Sequence, residues 1–138
     1  MSTLYTAVVT AHGGREGRAT SSDKILDVPL AMATELGGKG GAATNPEQLF
    51  AAGYAACFES AIRLVSRAKQ VALRDVKVTA QVALHKTEAE GFFLSAELCA
   101  AFADLDRSKA EELVAAAHQV CPYSKAIRGN VDVTLAVE

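Results

Sequence analysis

Two cysteines set in apolar surroundings, Cys57 within AAGYAACFESAI and Cys121 within AHQVCPYSKAIRGN, are the side chains of this sequence with the most chemistry to offer. A separation of 64 positions is too long for a local CxxC pair, so only the fold can bring them together. The chain has three cysteines, and its first residues, MSTLYTAVVTAHGG, lack the basic start of an export signal. Thiols in a reducing compartment serve catalysis or redox sensing more often than they staple a fold. Redox chemistry at a thiol pair is therefore the first expectation.

A free cysteine is also an ordinary small core residue. With apolar neighbours alone, the Cys57 thiol would be pushed up in pKa and left inert. Reactivity requires a cation, and the sequence on the same turn supplies none. Arg15 and Arg18 of GGREGR are equal candidates on residue type, and either could form a bidentate pair with Glu47 and stabilise a thiolate. Glu47 itself stands in the first turn of a predicted helix, where a carboxylate also compensates the helix dipole. It precedes Cys57 by ten positions on roughly the same side, yet about 15 Å away along the axis unless the helix breaks near Gly53. Cys121 stands before Pro122, which disfavours helical geometry and puts the thiol on a frayed helix end, able to attack another sulfur. His118, one turn earlier, reads as a hydrogen-bonded structural residue or as a proton acceptor or cation for that thiol. Cys99 falls on the face of Ser95 and Glu97 and reads as structural. Phe50, Tyr54, Phe58 and Tyr123 are core candidates; any that line a thiol pocket would favour an apolar substrate.

The elements that must position these groups can be read from periodicity and caps. Loose alternation from Leu4 to His12, the turn GGREG, a second strand near Arg18 to Ser22 and a short third around Ile25 to Leu30 predict three strands. Pro29 cannot donate to a ladder and should lie at an edge. After the flexible stretch LGGKGGAATNPEQ, Asn45 is an N-cap, Pro46 fits the first helical position and Gln48 is the third residue of a capping box. From Leu49 to Val65 the helix is apolar on nearly every face, as a helix buried on all sides would be. Glu59 and Arg63 have the favourable i, i+4 order. Val76 to Leu84 and Leu94 to Phe102 alternate as strands, Asp106 caps RSKAEELVAAAHQV, and Val131 to Val137 alternate again. The order β-β-β-α-β-β-α-β is an α+β pattern with mostly antiparallel strands. One modest sheet would not cover so apolar a central helix, so a two-fold homodimer is expected.

Composition excludes several classes. With 138 residues, 50% hydrophobic, 22% charged and a net charge of −2, the chain predicts one soluble domain spanning 1–138. Lysines and arginines are scattered, so nucleic acid is not an expected partner. No run of transmembrane length stands out, and a cytoplasmic location is expected.

Taken together, GGREGR, GGKGGAATNPEQLFAAGYAACF and AAAHQVCPYSKAIRGNVDV resemble the organic hydroperoxide resistance (Ohr) branch of the OsmC-like superfamily, essentially from Leu4 to Val137. The resemblance implies an OsmC-like fold, an intertwined homodimer with its sites at the subunit interface, and a thiol-dependent peroxidase without metal, haem, flavin or other cofactor. By motif, Cys57 corresponds to the peroxidatic cysteine and Cys121 to the resolving one, joined during turnover by an intrachain disulfide. Arg15, not Arg18, matches the arginine that stabilises thiolate and peroxide, and Glu47 matches the glutamate that orients it. The implied substrate is an organic, including fatty-acid, hydroperoxide, and the implied reductant dihydrolipoamide on a lipoylated protein. Glu59 and Lys125-Ala126 depart from the pattern and bear on the pocket rim and the reductant's docking surface. An OsmC-branch peroxidase of broader range and a metal-binding protein using Cys57, Cys121, His118 and Glu47 are the competing readings, although that spacing matches no closed zinc motif.

Overall fold

A computed structural model describes all residues, Met1–Glu138. The chain forms two compact units, Met1–Leu49 and Phe50–Glu138. The first holds three short antiparallel strands, β1 (Val9–His12), β2 (Arg18–Ser21) and β3 (Asp27–Pro29), in the order β1-β2-β3. The GGREG turn joins β1 to β2 in a register that sets His12 opposite Arg18. Gly17 is obligatory there, since a Cβ would lie 1.7 Å from the His12 carbonyl oxygen. Pro29 lies on β3 at the sheet edge, as its missing N–H requires. The first strand starts at Val9, not Leu4.

Helix α1 (Pro46–Ala68) begins at the end of the first unit and runs on into the second. Asn45 caps it, its side-chain oxygen accepting from the Gln48 N–H at 2.8 Å. The reciprocal half of the expected capping box is absent, because the Gln48 side-chain oxygen instead accepts from the Thr44 hydroxyl. The helix is unbroken at Gly53.

In the second unit, β4 (Val76–Thr87) and β5 (Gly91–Phe102) form a long antiparallel hairpin. Along β4, Val76, Val78, Ala80, Val82 and Leu84 turn inward and the residues between them outward, as their alternation predicts. Asp106 caps α2 (Arg107–Val120) by accepting from the Ser108 N–H, and a short α3 (Pro122–Ile127) follows. The chain then returns as β6 (Asp132–Val137), which pairs parallel with β5. A helical crossover between two strands of one sheet carries the chain back to the starting end, so this pair is parallel. There are thus two three-stranded sheets, one of them mixed, where one mostly antiparallel sheet was expected. The helical run after Pro122 went unread because six residues offer no periodicity to detect.

The core of this unit is built on Tyr54, Phe58, Ile62, Leu98 and Leu113, all fully buried. Each large apolar side chain removed from water contributes about 1.5–3 kcal/mol. The expectation of a helix buried on all sides is not met within one chain. The buried residues of α1 (Tyr54, Phe58, Ala61, Ile62, Val65 and Ser66) form one stripe, while Leu64 is exposed. With 23 residues and a mean hydropathy of 1.2 over its apolar window, α1 is also long and apolar enough to cross a membrane, unlike the expectation that no run has transmembrane length. Its buried stripe packs into the core like that of any globular core helix.

Candidate functional site

Two glycines before Arg15 and one two positions after it tighten the β1–β2 connection into a single 3-10 turn, Gly14–Glu16. That turn sends the Arg15 guanidinium to Glu47 rather than leaving it in solvent. Arg15 Nη1 donates to Glu47 Oε2 at 2.8 Å and Nη2 to Oε1 at 2.6 Å, a two-pronged charge-assisted pair. Both ends are largely shielded, with side-chain exposures of 31% and 17%. Donation by Arg15 holds the Glu47 carboxyl below its ordinary range, and Glu47 raises the guanidinium. A depressed carboxyl pKa stabilises the fold above the ordinary carboxylate range and loses that contribution only as pH falls through the lowered value. The pair is therefore intact at neutral pH. Arg18, equal to Arg15 on residue type, lies on β2 and pairs with Asp27 of the adjacent strand at 2.6 Å.

The two cysteines do meet. Cys57, three turns into α1, and Cys121, at the joint of α2 and α3, have their sulfurs 3.7 Å apart as free thiols. The Cys121 backbone is extended (φ −61°, ψ 124°), as the residue before proline should be. It is ordered rather than frayed: its N–H closes α2 onto Ala117 and its carbonyl accepts from Lys125 to open α3. Cys121 is fully buried and Cys57 partly so. Burial pushes the Cys57 thiol up; the Tyr123 backbone N–H works against this, and the hydrogen bond with Cys121 adds to it.

Around the pair, Ser124 and the contact of Tyr123 with Gly53 escaped the sequence reading. Tyr123 lays its ring over Gly53, one turn before Cys57, so closely that a Cβ would sit 2.6 Å from its hydroxyl. A glycine inside an alanine-rich helix costs about 0.5–1 kcal/mol relative to alanine, and that penalty was the available signal of a close approach. Ser124 is fully buried and shares hydrogen bonds with the Tyr54 hydroxyl at 2.7 Å and His118 Nδ1 at 2.8 Å. His118 is thus a hydrogen-bonded structural residue. Burial first, and then the Arg128 charge, lower its pKa. Phe50, Tyr54, Phe58 and Tyr123 form a chain of ring contacts along this part of the unit. Cys99 pairs with Thr79 across the hairpin and is a free, partly buried thiol. Glu59 is taken up by Arg63, the expected i, i+4 pair.

The metal-site reading fails on ligand arrangement. Glu47 is engaged by Arg15 and the His118 Nδ1 by Ser124, and no three His, Cys, Asp or Glu side chains converge anywhere in the chain. The second unit provides two thiols within reach of a disulfide, whose S–S bond needs about 2.0 Å, and the first unit provides a partly shielded arginine–glutamate pair.

The chain is similar over most of its length to known proteins. The model of the family described as OsmC-like protein matches residues 38–136. An organic hydroperoxide resistance protein of Xanthomonas axonopodis pv. citri is 52% identical over 97% of this chain and 94% of its own length. The organic hydroperoxide resistance protein OhrA of Bacillus subtilis is likewise 52% identical, over 97% of this chain and 96% of its own. Among solved structures, an organic hydroperoxide resistance protein from Legionella pneumophila, also described as a predicted redox protein, superposes with a TM-score of 0.95 at 56% identity, covering 99% of both chains.

Proposed function

The chain belongs to the OsmC-like family, in its organic hydroperoxide resistance branch, and from that premise we propose that it is a cysteine-based peroxidase that reduces organic hydroperoxides, fatty-acid hydroperoxides included, to alcohols. The observation that carries this reading is the pair of free thiols, Cys57 and Cys121, with sulfurs 3.7 Å apart. Cys57 as thiolate attacks the terminal oxygen of the peroxide. The O–O bond breaks, the alkoxide takes a proton and leaves as the alcohol, and Cys57 becomes a sulfenic acid. The Cys121 sulfur then attacks the Cys57 sulfur, the S–O bond breaks, and hydroxide leaves with the Cys121 proton as water. A dithiol, dihydrolipoamide free or on a lipoylated protein, reduces the resulting intrachain disulfide by exchange.

Arg15 is the cation that keeps Cys57 ionised and hydrogen-bonds the peroxide, and Glu47 holds the guanidinium in place. Support for this division of labour is the bidentate Arg15–Glu47 pair together with the position of Glu47 in the first turn of α1, the helix of Cys57. The aromatic run from Phe50 to Tyr123 suits an apolar substrate. The enzyme works as one cytoplasmic domain over 1–138 and as an intertwined homodimer, the partner covering the apolar surface of α1 that a single chain leaves open.

The test is peroxide consumption by the reduced protein with dihydrolipoamide as donor, comparing cumene hydroperoxide with hydrogen peroxide. Faster turnover of the organic peroxide is expected. Cys57→Ser should abolish it, and Cys121→Ser should retain a single burst without turnover. No consumption of either peroxide would overturn the reading.

A further inference from the structure

We propose that the hydrogen-bonded chain His118–Ser124–Tyr54 is a clamp that positions the Cys121 thiol against Cys57, and through that placement sets how fast the disulfide closes and how readily it is reduced. The placement of the three residues relative to the thiols is regular. His118 lies three positions before Cys121, on α2, and Ser124 three positions after it, on α3. Their 2.8 Å bond bridges the joint at whose apex Cys121 sits. Tyr54 lies three positions before Cys57 on α1, and its 2.7 Å bond to Ser124 ties the bridged joint to the helix of the other thiol. One hydroxyl thus links all three helices that hold the sulfurs.

Satisfaction of buried polar atoms is the simpler account of such bonds, and it falls short here. A phenylalanine at 54 would pack among Phe50, Phe58 and Tyr123 with no hydroxyl to satisfy. A buried helical serine is ordinarily satisfied by a carbonyl of its own helix. Ser124, with no exposed surface, is instead committed to side chains from two other helices. Cys121 has no other side-chain hydrogen-bond partner than Cys57 itself, so its placement depends on the backbone joint that the clamp closes.

The redox step rests on the peroxidase reading above: closure joins the two sulfurs as the S–O bond of the sulfenic acid breaks, and water carries off the Cys121 proton. The stability of the Cys57–Cys121 disulfide does not rest on that reading, because any dithiol buffer can measure it. Tyr54, Ser124 and His118 act through Cys121, as positioning residues.

Ser124→Ala removes both bonds, and Tyr54→Phe removes one oxygen from an otherwise unchanged ring. Each variant and the parent would be equilibrated with mixtures of reduced and oxidised dithiothreitol, and the disulfide fraction read by mass after alkylation. Ser124→Ala is expected to lower the equilibrium constant for disulfide formation tenfold or more, which raises the potential of this two-electron couple by about 30 mV or more. After one equivalent of cumene hydroperoxide, its sulfenic acid should survive at least ten times longer against dimedone trapping. A parent-like equilibrium in Ser124→Ala overturns the clamp; should that variant fail to fold, Tyr54→Phe decides alone, by the same reading. If the parent forms no sulfenic acid with peroxide, it is the peroxidase reading that fails, and the dithiothreitol equilibrium still decides the clamp.

Discussion

At the scale of single residues, the decisive quantity is how much of Cys57 is thiolate. Burial raises this thiol, and the Tyr123 N–H offsets only part of that effect. A fixed cation is what the proposed chemistry still requires, and the Glu47 carboxylate keeps the Arg15 guanidinium from dispersing into solvent. On the proposed role of Arg15 as the cation beside the thiolate, the pH profile of Cys57 alkylation by iodoacetamide in Arg15→Ala should move to higher pH. A hydrogen bond to a charged group is worth about 1.5–3 kcal/mol. The peroxidase rate at neutral pH should therefore fall at least about tenfold. Glu47→Gln keeps the shape of the side chain but loses its charge, and should move the profile in the same direction by less. An unmoved profile in Arg15→Ala would remove Arg15 from the mechanism. Cys99 serves as internal control, since neither substitution should alter its alkylation.

At the scale of elements, the joint between α2 and α3 matters most. Pro122 forces Cys121 out of helical geometry, so the chain bends at the thiol and α3 starts on a new axis. The ring of Tyr123 then lies on Gly53, and its backbone N–H faces Cys57. Gly53→Ala tests this packing. In an open helix the change would stabilise by about 1 kcal/mol through backbone entropy. Here the new Cβ would stand 2.6 Å from the Tyr123 hydroxyl and 3.0 Å from its ring, so the ring must move. We expect the gain in urea denaturation to be smaller than that propensity value, with disulfide closure slowed. A full propensity gain with unchanged closure would mean that the contact positions nothing.

At the scale of the molecule, the single chain leaves much apolar surface open. Leu64 on α1 is 55% exposed, and Leu4, Tyr5 and Ile25 in the first unit are 95%, 80% and 87% exposed. Soluble monomers rarely keep large apolar patches uncovered. Sedimentation equilibrium at micromolar concentration should give twice the chain mass, and Leu64→Glu, which places a charge on the open side of α1, should shift the population towards monomer. A parent protein that sediments as a monomer would overturn the dimer. The family match over residues 38–136 crosses the boundary between the two units at Leu49 and Phe50.

Local rules determined what they could by sequence alone. The Asn45 and Asp106 caps, the alternation of β4 and β5, the edge position of Pro29 and the Glu59–Arg63 pair each depend on neighbours a few residues away, and each was legible. The candidate thiols were legible as well, because residue type and context mark them. Residue type left Arg15 and Arg18 equal; resemblance implied Arg15, and the fold placed it on Glu47 while a cross-strand neighbour took up Arg18. Only tertiary structure decided that Cys57 and Cys121 meet, that β6 runs parallel to β5, and that one buried serine links three helices. The Tyr54–Ser124 and Cys57–Cys121 contacts join residues 70 and 64 positions apart, and no periodicity along a chain encodes which distant hydroxyl or sulfur will be the partner. Packing of the whole core makes that choice.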